Sequence, residues 1–148
     1  MGIDDTTQSL TAIRLLEHAR RSVPELTAQE AKARLDRGEF DLILDVRESE
    51  EWQKGRLPGA VHAPRGMLEF HADPSTKYAR SEITSRREAN VLIACASGCR
   101  SLLAAETLQR MGYRRVASLA GGLAEWVRLG LPVEGGSHPA SGSSRSLT

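Results

Sequence analysis

Residues 91–101 read Val-Leu-Ile-Ala-Cys-Ala-Ser-Gly-Cys-Arg-Ser, and this stretch decides the fold. A short apolar run ends at Cys95, a small loop containing glycine follows, and a helical pattern begins at Ser101. The run predicts a buried parallel strand. The change to a helix predicts that backbone N–H groups of the loop converge on the Cys95 sulfur. Because such a site holds an anion and favours the thiolate, the sequence predicts a reactive cysteine.

Outward from this stretch, short apolar runs alternate with helical patterns. The expected strands are 41–46, 60–63, 91–94 and 116–119, and the expected helices are 28–37, 50–54, 78–88, 101–111 and 123–129, with a loop or short helix at 67–70. Short strands that are almost wholly apolar are typical of a parallel sheet with helices on both faces, so we expect a single α/β domain. Ligands bind such a sheet beyond the carboxyl ends of its strands, where Cys95 is expected.

Two helix starts carry capping signals. Thr27 is followed three residues later by Glu30, which is the pattern of a capping box, and Gly38 suits the end of that helix. Ser49 is expected to cap the short helix 50–54. Both signals place a helix next to the strand 41–46, as alternating strands and helices require.

The chain divides into three parts. Residues 1–22 predict an N-terminal helical extension, residues 23–134 the α/β domain, and residues 135–148, rich in serine and glycine, a disordered tail. The extension has a partial apolar face made of Leu10, Ile13, Leu15 and Leu16. The sequence leaves open whether this face packs on the domain or on a partner.

The composition excludes several classes of function. A net charge of +1 with scattered basic residues argues against nucleic-acid binding, and no apolar run reaches the length of a membrane span. The two cysteines share one loop, which points to reactive thiols in a reducing, cytoplasmic compartment. His62 and His71 are not spaced as metal ligands with the cysteines, so we expect neither a metal nor another cofactor.

The loop after Cys95 has the residues that an activated thiol needs. Small residues at 96–98 allow the backbone to curl tightly, the helix from Ser101 adds its positive end, and Arg100 adds a permanent charge. The alternative is a buried structural cysteine, since cysteine is among the most buried residue types. The continuation Gly-Cys-Arg-Ser into a helix favours the activated thiol.

Four blocks of the sequence resemble the rhodanese-like sulfurtransferases. They are the active-site loop 95–101, the strand-end Asp-x-Arg motif at 44–48, the Gly-His-Ile-Pro-Gly-Ala signature at 55–62, and the closing motif at 121–126 with 131–133. The resemblance covers about residues 24–134. It departs from the family at Arg56, where the family usually has histidine, so no catalytic role is carried to that position.

The resemblance implies a fold, an activity and a set of site residues. The fold is a parallel α/β rhodanese-like domain. The activity is a ping-pong transfer in which Cys95 takes sulfane sulfur from thiosulfate or a persulfide, becomes a persulfide, and passes the sulfur to a thiol, a protein acceptor or cyanide. The catalytic residues are then Cys95 and Arg100, the substrate-binding residues are Ala96, Ser97, Gly98, Cys99, Ser101, Arg47 and Arg65, and Asp45 gives structural support.

Several alternatives stay open. The chain is also compatible with a sulfur-carrier or regulatory binding module that serves one protein partner. A cysteine-based phosphatase or arsenate reductase is disfavoured, because the span from Cys95 to Arg100 is six residues and the related phosphatases have a loop one residue longer. Asp45 and Arg47 could form a structural ion pair instead of a substrate site. Cys99 either relays sulfur from Cys95 or simply faces solvent.

Overall fold

Five short parallel strands form the central sheet of the computed structural model, which describes residues 9–136. The strands are β1 (Glu25–Leu26), β2 (Leu42–Asp45), β3 (Val61–His62), β4 (Asn90–Ala94) and β5 (Arg115–Leu119), in the spatial order β1-β5-β4-β2-β3. Every neighbouring pair is parallel. The expectation of a parallel α/β sheet is therefore confirmed.

Helices cover both faces of this sheet. They are α1 (Ala12–Arg20), α2 (Ala28–Asp36), α3 (Ser49–Gln53), α4 (Leu68–His71), α5 (Ser81–Thr84), α6 (Cys99–Arg110) and α7 (Gly122–Arg128), with a 3₁₀ turn at Arg65–Met67. One apolar cluster joins the sheet to α1, α4, α5 and α6, and a second joins it to α2 and α7. Trp126 and Leu92 belong to the second cluster, and Leu102 and Ile93 to the first.

Two local expectations were wrong, and one strand had not been expected. The helix expected at 78–88 is only the single turn α5, because Ile83 is its one buried residue and the polar residues after it have no apolar face to bury. Ser49 is the first residue of α3, and the residue before it, Glu48, occupies the cap position. Strand β1 was not expected. It forms because the carbonyl groups of Pro24 and Leu26 accept hydrogen bonds from β5 and the residue that follows it.

The N-terminal helix α1 packs on α6. Leu16 and Ala19 are buried in this contact. The ring of His18 lies 2.6 Å from the Glu106 carboxylate. Leu10, Ile13 and Leu15, the rest of the expected apolar face, are exposed. The expected apolar face therefore packs on the domain through Leu16. Residues 1–8 of the extension and residues 137–148 of the expected tail lie outside the described residues.

Strand β4 lies in the middle of the sheet and delivers Cys95 to its carboxyl edge. Ala94 pairs with Asp45 of β2, and Ile93 pairs with Ser118 of β5. Cys95 follows directly, between the ends of these two neighbours, as the sequence predicted from the general behaviour of parallel sheets. Within residues 9–136, no helix combines the length and apolar character needed to cross a bilayer.

Candidate active site

The Cys95 sulfur is buried in a cradle of main-chain donors. Cys95 is fully shielded from solvent, and its Sγ accepts hydrogen bonds from the N–H of Gly98 at 3.1 Å and of Ser101 at 3.3 Å. Gly98 has a φ of +102°, and a Cβ at this position would lie 3.1 Å from the Gly121 nitrogen. Glycine is therefore required for the loop to curl around the sulfur.

A buried pair of hydroxyl groups continues the cradle. The Cys95 Sγ lies 3.4 Å from the Ser101 Oγ, which donates to the Gly98 carbonyl at 3.2 Å and lies 2.8 Å from the Ser118 Oγ. Sequence reasoning found Ser101 and missed Ser118. The available signal was a polar residue within the buried part of strand β5, three residues before the first closing glycine.

Other N–H groups of the loop are free to bind an anion. Within the described part of the chain, the amides of Ala96, Ser97, Cys99 and Arg100 have no hydrogen-bond acceptor. Those of Cys99 and Arg100 belong to the first turn of α6, where a helix leaves its N–H groups unsatisfied and its end carries partial positive charge. Together with the two amides already on the sulfur, they can serve a negatively charged group attached to Cys95.

Helix α7 holds the first half of the loop in place. The N–H groups of Leu123 and Ala124 donate to the carbonyls of Cys95 at 2.8 Å and Ala96 at 3.0 Å. Gly122, at the start of α7, has a φ of +59°, and a Cβ there would lie 2.4 Å from the Cys95 carbonyl oxygen. The closing motif is thus a direct support of the reactive loop.

Arg100 is engaged by a glutamate. Its guanidinium donates to both carboxylate oxygens of Glu51, at 2.8 and 2.9 Å. Glu51 also accepts the Glu48 N–H at 2.9 Å. The hydrogen bonds from Arg100 lower the pKa of Glu51 from 4.5 to about 2, and Glu51 in turn raises the pKa of Arg100. Sequence reasoning missed Glu51, although an acidic residue in the first turn of α3 was a visible signal.

Asp45 and Arg47 form a buried ion pair. The Arg47 guanidinium donates to both Asp45 oxygens, its backbone N–H donates to Asp45 Oδ1, and its Nη2 donates to the Gly55 carbonyl at 2.7 Å. Arg47 is only 7 % exposed. This geometry favours the interpretation of Asp45 and Arg47 as a structural ion pair. The hydrogen bond to Gly55 also joins the end of β2 to the signature at 55–62.

The structure does not bring Arg65 to the loop. Its guanidinium contacts Glu69 at 3.0 Å and the Thr107 hydroxyl at 3.1 Å. Thr107 lies on α6 six residues after Ser101, so it is about 9 Å further along the helix axis. The proposed role of Arg65 in donor binding therefore has no contact to support it.

The loop residues on either side of Gly98 are uncharged. Ser97 and Cys99 are exposed and Ala96 is half-buried. Cys95 and Cys99 are both free thiols, and Cys99 is the first residue of α6. The structure thus brings together Ala96, Ser97, Gly98, Cys99, Arg100 and Ser101 around Cys95, as expected of contiguous residues.

The residue that departs from the family pattern has a packing contact. The Arg56 guanidinium lies over the Trp52 ring at 4.4 Å, and the His62 ring stacks on the same tryptophan at 4.8 Å. His71 lies 2.9 Å from the Tyr78 carbonyl. Among residues 9–136, no cluster of histidine, cysteine and carboxylate side chains has the arrangement of a metal site.

Comparison with known proteins identifies the family. The rhodanese-like domain model matches residues 27–129. The sulfurtransferase of Allochromatium vinosum is 34% identical over 111 residues, which are 75% of this chain and 94% of that protein. YrkF of Bacillus subtilis strain 168, named a putative sulfur carrier protein, is 36% identical over 105 residues, 71% of this chain. The chain spans about half the length of that relative, 51%.

A solved structure agrees over nearly the whole chain. A protein of unknown function from Rhodopseudomonas palustris, described as a possible tyrosine phosphatase, superposes with a TM-score of 0.80 at 35% identity, covering 90% of this chain and 99% of that one. The family match spans most of the described residues and contains the whole Cys95 loop. This chain belongs to the rhodanese-like domain family.

Proposed function

We propose that this protein is a sulfurtransferase that carries sulfane sulfur on Cys95. The sulfur comes from thiosulfate or a persulfide and passes to a thiol, to a protein acceptor or to cyanide. The observation that carries the proposal is the buried Cys95 sulfur, which accepts two main-chain hydrogen bonds at the carboxyl edge of the sheet. Relatives of the same family support sulfur transfer as the general activity. We propose the cytoplasm as its location, from the cysteine usage.

The first half-reaction loads the cysteine. The Cys95 thiolate attacks the outer sulfur of the donor, a new S–S bond forms, and the bond within the donor breaks with its electron pair leaving on sulfite or a thiolate. The amides of Gly98 and Ser101 stabilise the attacking thiolate. The Ser101 hydroxyl can turn its hydrogen to the sulfur while Ser118 donates to the Ser101 oxygen.

The second half-reaction unloads it. A nucleophilic acceptor attacks the outer sulfur of the persulfide, and Cys95 leaves as the thiolate that the same amides stabilise. Before that attack, the free N–H groups of the loop can donate hydrogen bonds to the outer sulfur, because that sulfur is negatively charged at neutral pH. The two steps balance without a further reactant, because each is a nucleophilic displacement at sulfur in which the leaving group takes the electron pair.

The sulfur-carrier alternative has support from one relative. YrkF bears that name, and a carrier would use the same loaded Cys95. The two functions differ in the donor, because a carrier is loaded by one protein partner and turns over poorly with small donors. The phosphatase alternative takes its support from the Rhodopseudomonas neighbour. Against it stands the six-residue loop, in which a tetrahedral oxyanion bonded to Cys95 is crowded.

Intact mass spectrometry tests the proposed function. We expect wild-type protein incubated with thiosulfate or cysteine persulfide to gain the mass of one sulfur atom and to lose it on addition of cyanide or a thiol. Cys95→Ser should gain nothing, and Cys99→Ser is the matched control at the other cysteine. A gain on Cys99 alone, or hydrolysis of an aryl phosphate with no gain of sulfur, contradicts the proposal. Loading only from a persulfidated protein supports the carrier.

A further inference from the structure

Helix α3 makes an active-site contact although it has no buried side chain of its own. It is five residues long, Ser49–Gln53, and none of the five is buried. Glu51, in its middle, accepts two hydrogen bonds from Arg100, at 2.8 and 2.9 Å. A helix of this length is not stable alone, because its few hydrogen bonds do not offset the cost of nucleation. Contacts outside α3 must therefore fix the position of Glu51.

The indole ring of Trp52, the next residue of α3, makes such contacts. The Arg56 guanidinium lies 4.4 Å from the centre of this ring, and the His62 ring stacks on it at 4.8 Å with an angle of 12° between the planes. The Nη1 of Arg56 also donates to the Trp52 carbonyl at 3.0 Å. A cation over an indole ring and near the last carbonyl groups of a helix is favourable on both counts. Arg56 therefore packs on α3 and closes its carboxyl end.

Arg56 is itself held by residues 132–135, which we call the C-terminal strap. The Arg56 N–H donates to the Glu134 carbonyl at 3.0 Å, and the Glu134 N–H donates to the Arg56 carbonyl at 2.9 Å, so the two residues form an antiparallel bridge. The Glu134 carboxylate accepts the Gly59 N–H at 3.0 Å. Gly135 has a φ of +76°, and a Cβ there would clash with the Arg56 guanidinium. Glycine therefore lets the strap lie directly against the guanidinium.

These contacts form a continuous route from the strap to the reactive loop. It runs from Glu134 to Arg56 and from Arg56 to Trp52. It continues along α3 to Glu51, and from Glu51 to Arg100. Arg100 belongs to the first turn of α6, whose free N–H groups can serve a group attached to the reactive sulfur. Because a two-hydrogen-bond contact fixes orientation as well as distance, a shift of α3 would displace the Arg100 side chain.

We propose that Arg56 is a positioning residue for sulfur transfer: held by the strap, it fixes α3 so that Glu51 keeps Arg100 and the start of α6 in place. This inference rests on the proposed function. Arg56 contacts neither the sulfur nor the loop, so it acts through Glu51 and is not catalytic. Since the family usually has histidine at this position, the arrangement belongs to this sequence.

Steady-state kinetics test the proposal. The kcat/KM for transfer from cysteine persulfide to cyanide is measured for wild type, Arg56→Ala, Glu51→Gln and the double variant. We expect Arg56→Ala to lose about five- to tenfold, a usual size for a contact that acts on a site from a distance. The double variant should lose no more than Glu51→Gln alone, because Arg56 acts through Glu51. Losses that multiply in the double variant would contradict this route.

Arg34→Ala is the matched control. The Arg34 guanidinium lies 4.5 Å from the centre of the Phe40 ring, in nearly the geometry of Arg56 on Trp52. It precedes the amino end of β2, at the edge of the sheet away from Cys95, so its loss should change kcat/KM by less than about twofold. An equal loss in both variants would overturn the proposal.

Arg56→Lys keeps a cation at the indole ring but lacks the planar guanidinium, and we expect a loss smaller than that of Arg56→Ala. If Arg56→Ala does not fold, Arg56→Lys becomes the deciding variant, and a wild-type kcat/KM in it overturns the proposal.

A second readout does not require turnover. The hydrogen bonds from Arg100 lower the pKa of Glu51 from 4.5 to about 2, and ¹³C NMR of the side-chain carboxyl follows its titration. If Arg56 holds the contact between Glu51 and Arg100, Arg56→Ala raises the pKa of Glu51 and Arg34→Ala leaves it unchanged. An unchanged Glu51 pKa in Arg56→Ala would mean that Arg56 only supports the fold, and it would overturn the proposal.

Failure of this inference is separable from failure of the proposed function. If wild-type protein transfers sulfur while Arg56→Ala keeps both the rate and the Glu51 pKa, the positioning role is wrong and the sulfurtransferase stands. If no donor loads wild-type Cys95, the sulfurtransferase is wrong, and the Glu51 titration still decides whether Arg56 holds the contact with Arg100.

Discussion

A single carboxylate, Glu51, connects the reactive loop to the rest of the site. It accepts two hydrogen bonds from Arg100 and one from the Glu48 backbone, so it joins the start of α3 to the start of α6. Both side chains are about one-third exposed. The exposure screens the charges, but two parallel hydrogen bonds fix the arginine in one orientation.

The pKa of Glu51 makes the contribution of this pair to stability dependent on pH. Folding lowers that pKa from 4.5 to about 2, so the ionised carboxylate favours the folded state. The stabilisation is present in full above pH 4.5 and is lost as the pH falls toward 2. We expect Glu51→Gln to be less stable than wild type at pH 7, with the difference shrinking through this interval in urea unfolding.

Glu50→Gln is the control for this prediction. It makes the same change at the exposed neighbour on the same helix and should show no such convergence. A constant difference between wild type and Glu51→Gln from pH 7 to pH 3 would mean that the ion pair does not stabilise the fold.

At the scale of elements, α7 supports the loop through its first residues. The Gly122 backbone has a positive φ and lies against the Cys95 carbonyl, with no room for a side chain. The N–H groups that follow hold the loop carbonyls. The orientation of the cradle therefore depends on a helix that contributes no side chain to it.

Substitution of Gly122 should disrupt both stability and transfer. We expect Gly122→Ala to lose about 2–5 kcal/mol of unfolding free energy, from the left-handed backbone and the clash together, and to lose most of its sulfur-transfer rate. Gly130→Ala is the matched control. Gly130 has a φ of +74° with open space around its Cα, so it should lose only about 1–2 kcal/mol and keep its rate. If the two variants showed equal losses of unfolding free energy and of transfer rate, the close contact between Gly122 and the Cys95 carbonyl would not matter.

The elements show why some features could be predicted and others could not. Strand β4, the Cys95 loop and the capping box at Thr27 depend on residues adjacent in sequence, and the structure shows each of them. Strand β1 is two residues long and exists only through its pairing with β5. Glu51 contacts Arg100, which is 49 residues away in the sequence, and Ser118 contacts Ser101, which is 17 residues away. Pairings of that kind are set by packing, which residue patterns alone do not encode.

At the scale of the whole molecule, the core includes the N-terminal helix. Leu16 of α1 belongs to the same apolar cluster as Leu102 and Leu108 of α6. The sequence placed the domain boundary near residue 23, because Pro24 interrupts the helical pattern. The packing of α1 on α6 makes this helix part of the core on one side of the sheet.

Truncation of leucines on α1 tests this assignment. We expect Leu16→Ala, at a buried position, to lose about 2–3 kcal/mol of unfolding free energy. Leu15→Ala is the control on the same helix and, being 41% exposed, should lose less than about 1 kcal/mol. If the two variants unfold at the same urea concentration, α1 does not belong to the cooperative core.

The complete burial of the Cys95 sulfur has a consequence for how partners meet this protein. A persulfide, as proposed, would lengthen the Cys95 side chain by one S–S bond of about 2.05 Å. Under the proposed function, an empty protein and a loaded one would differ by one sulfur atom within the loop. Because Cys95 is fully buried, an acceptor would have to bring its nucleophile into the loop to reach that atom.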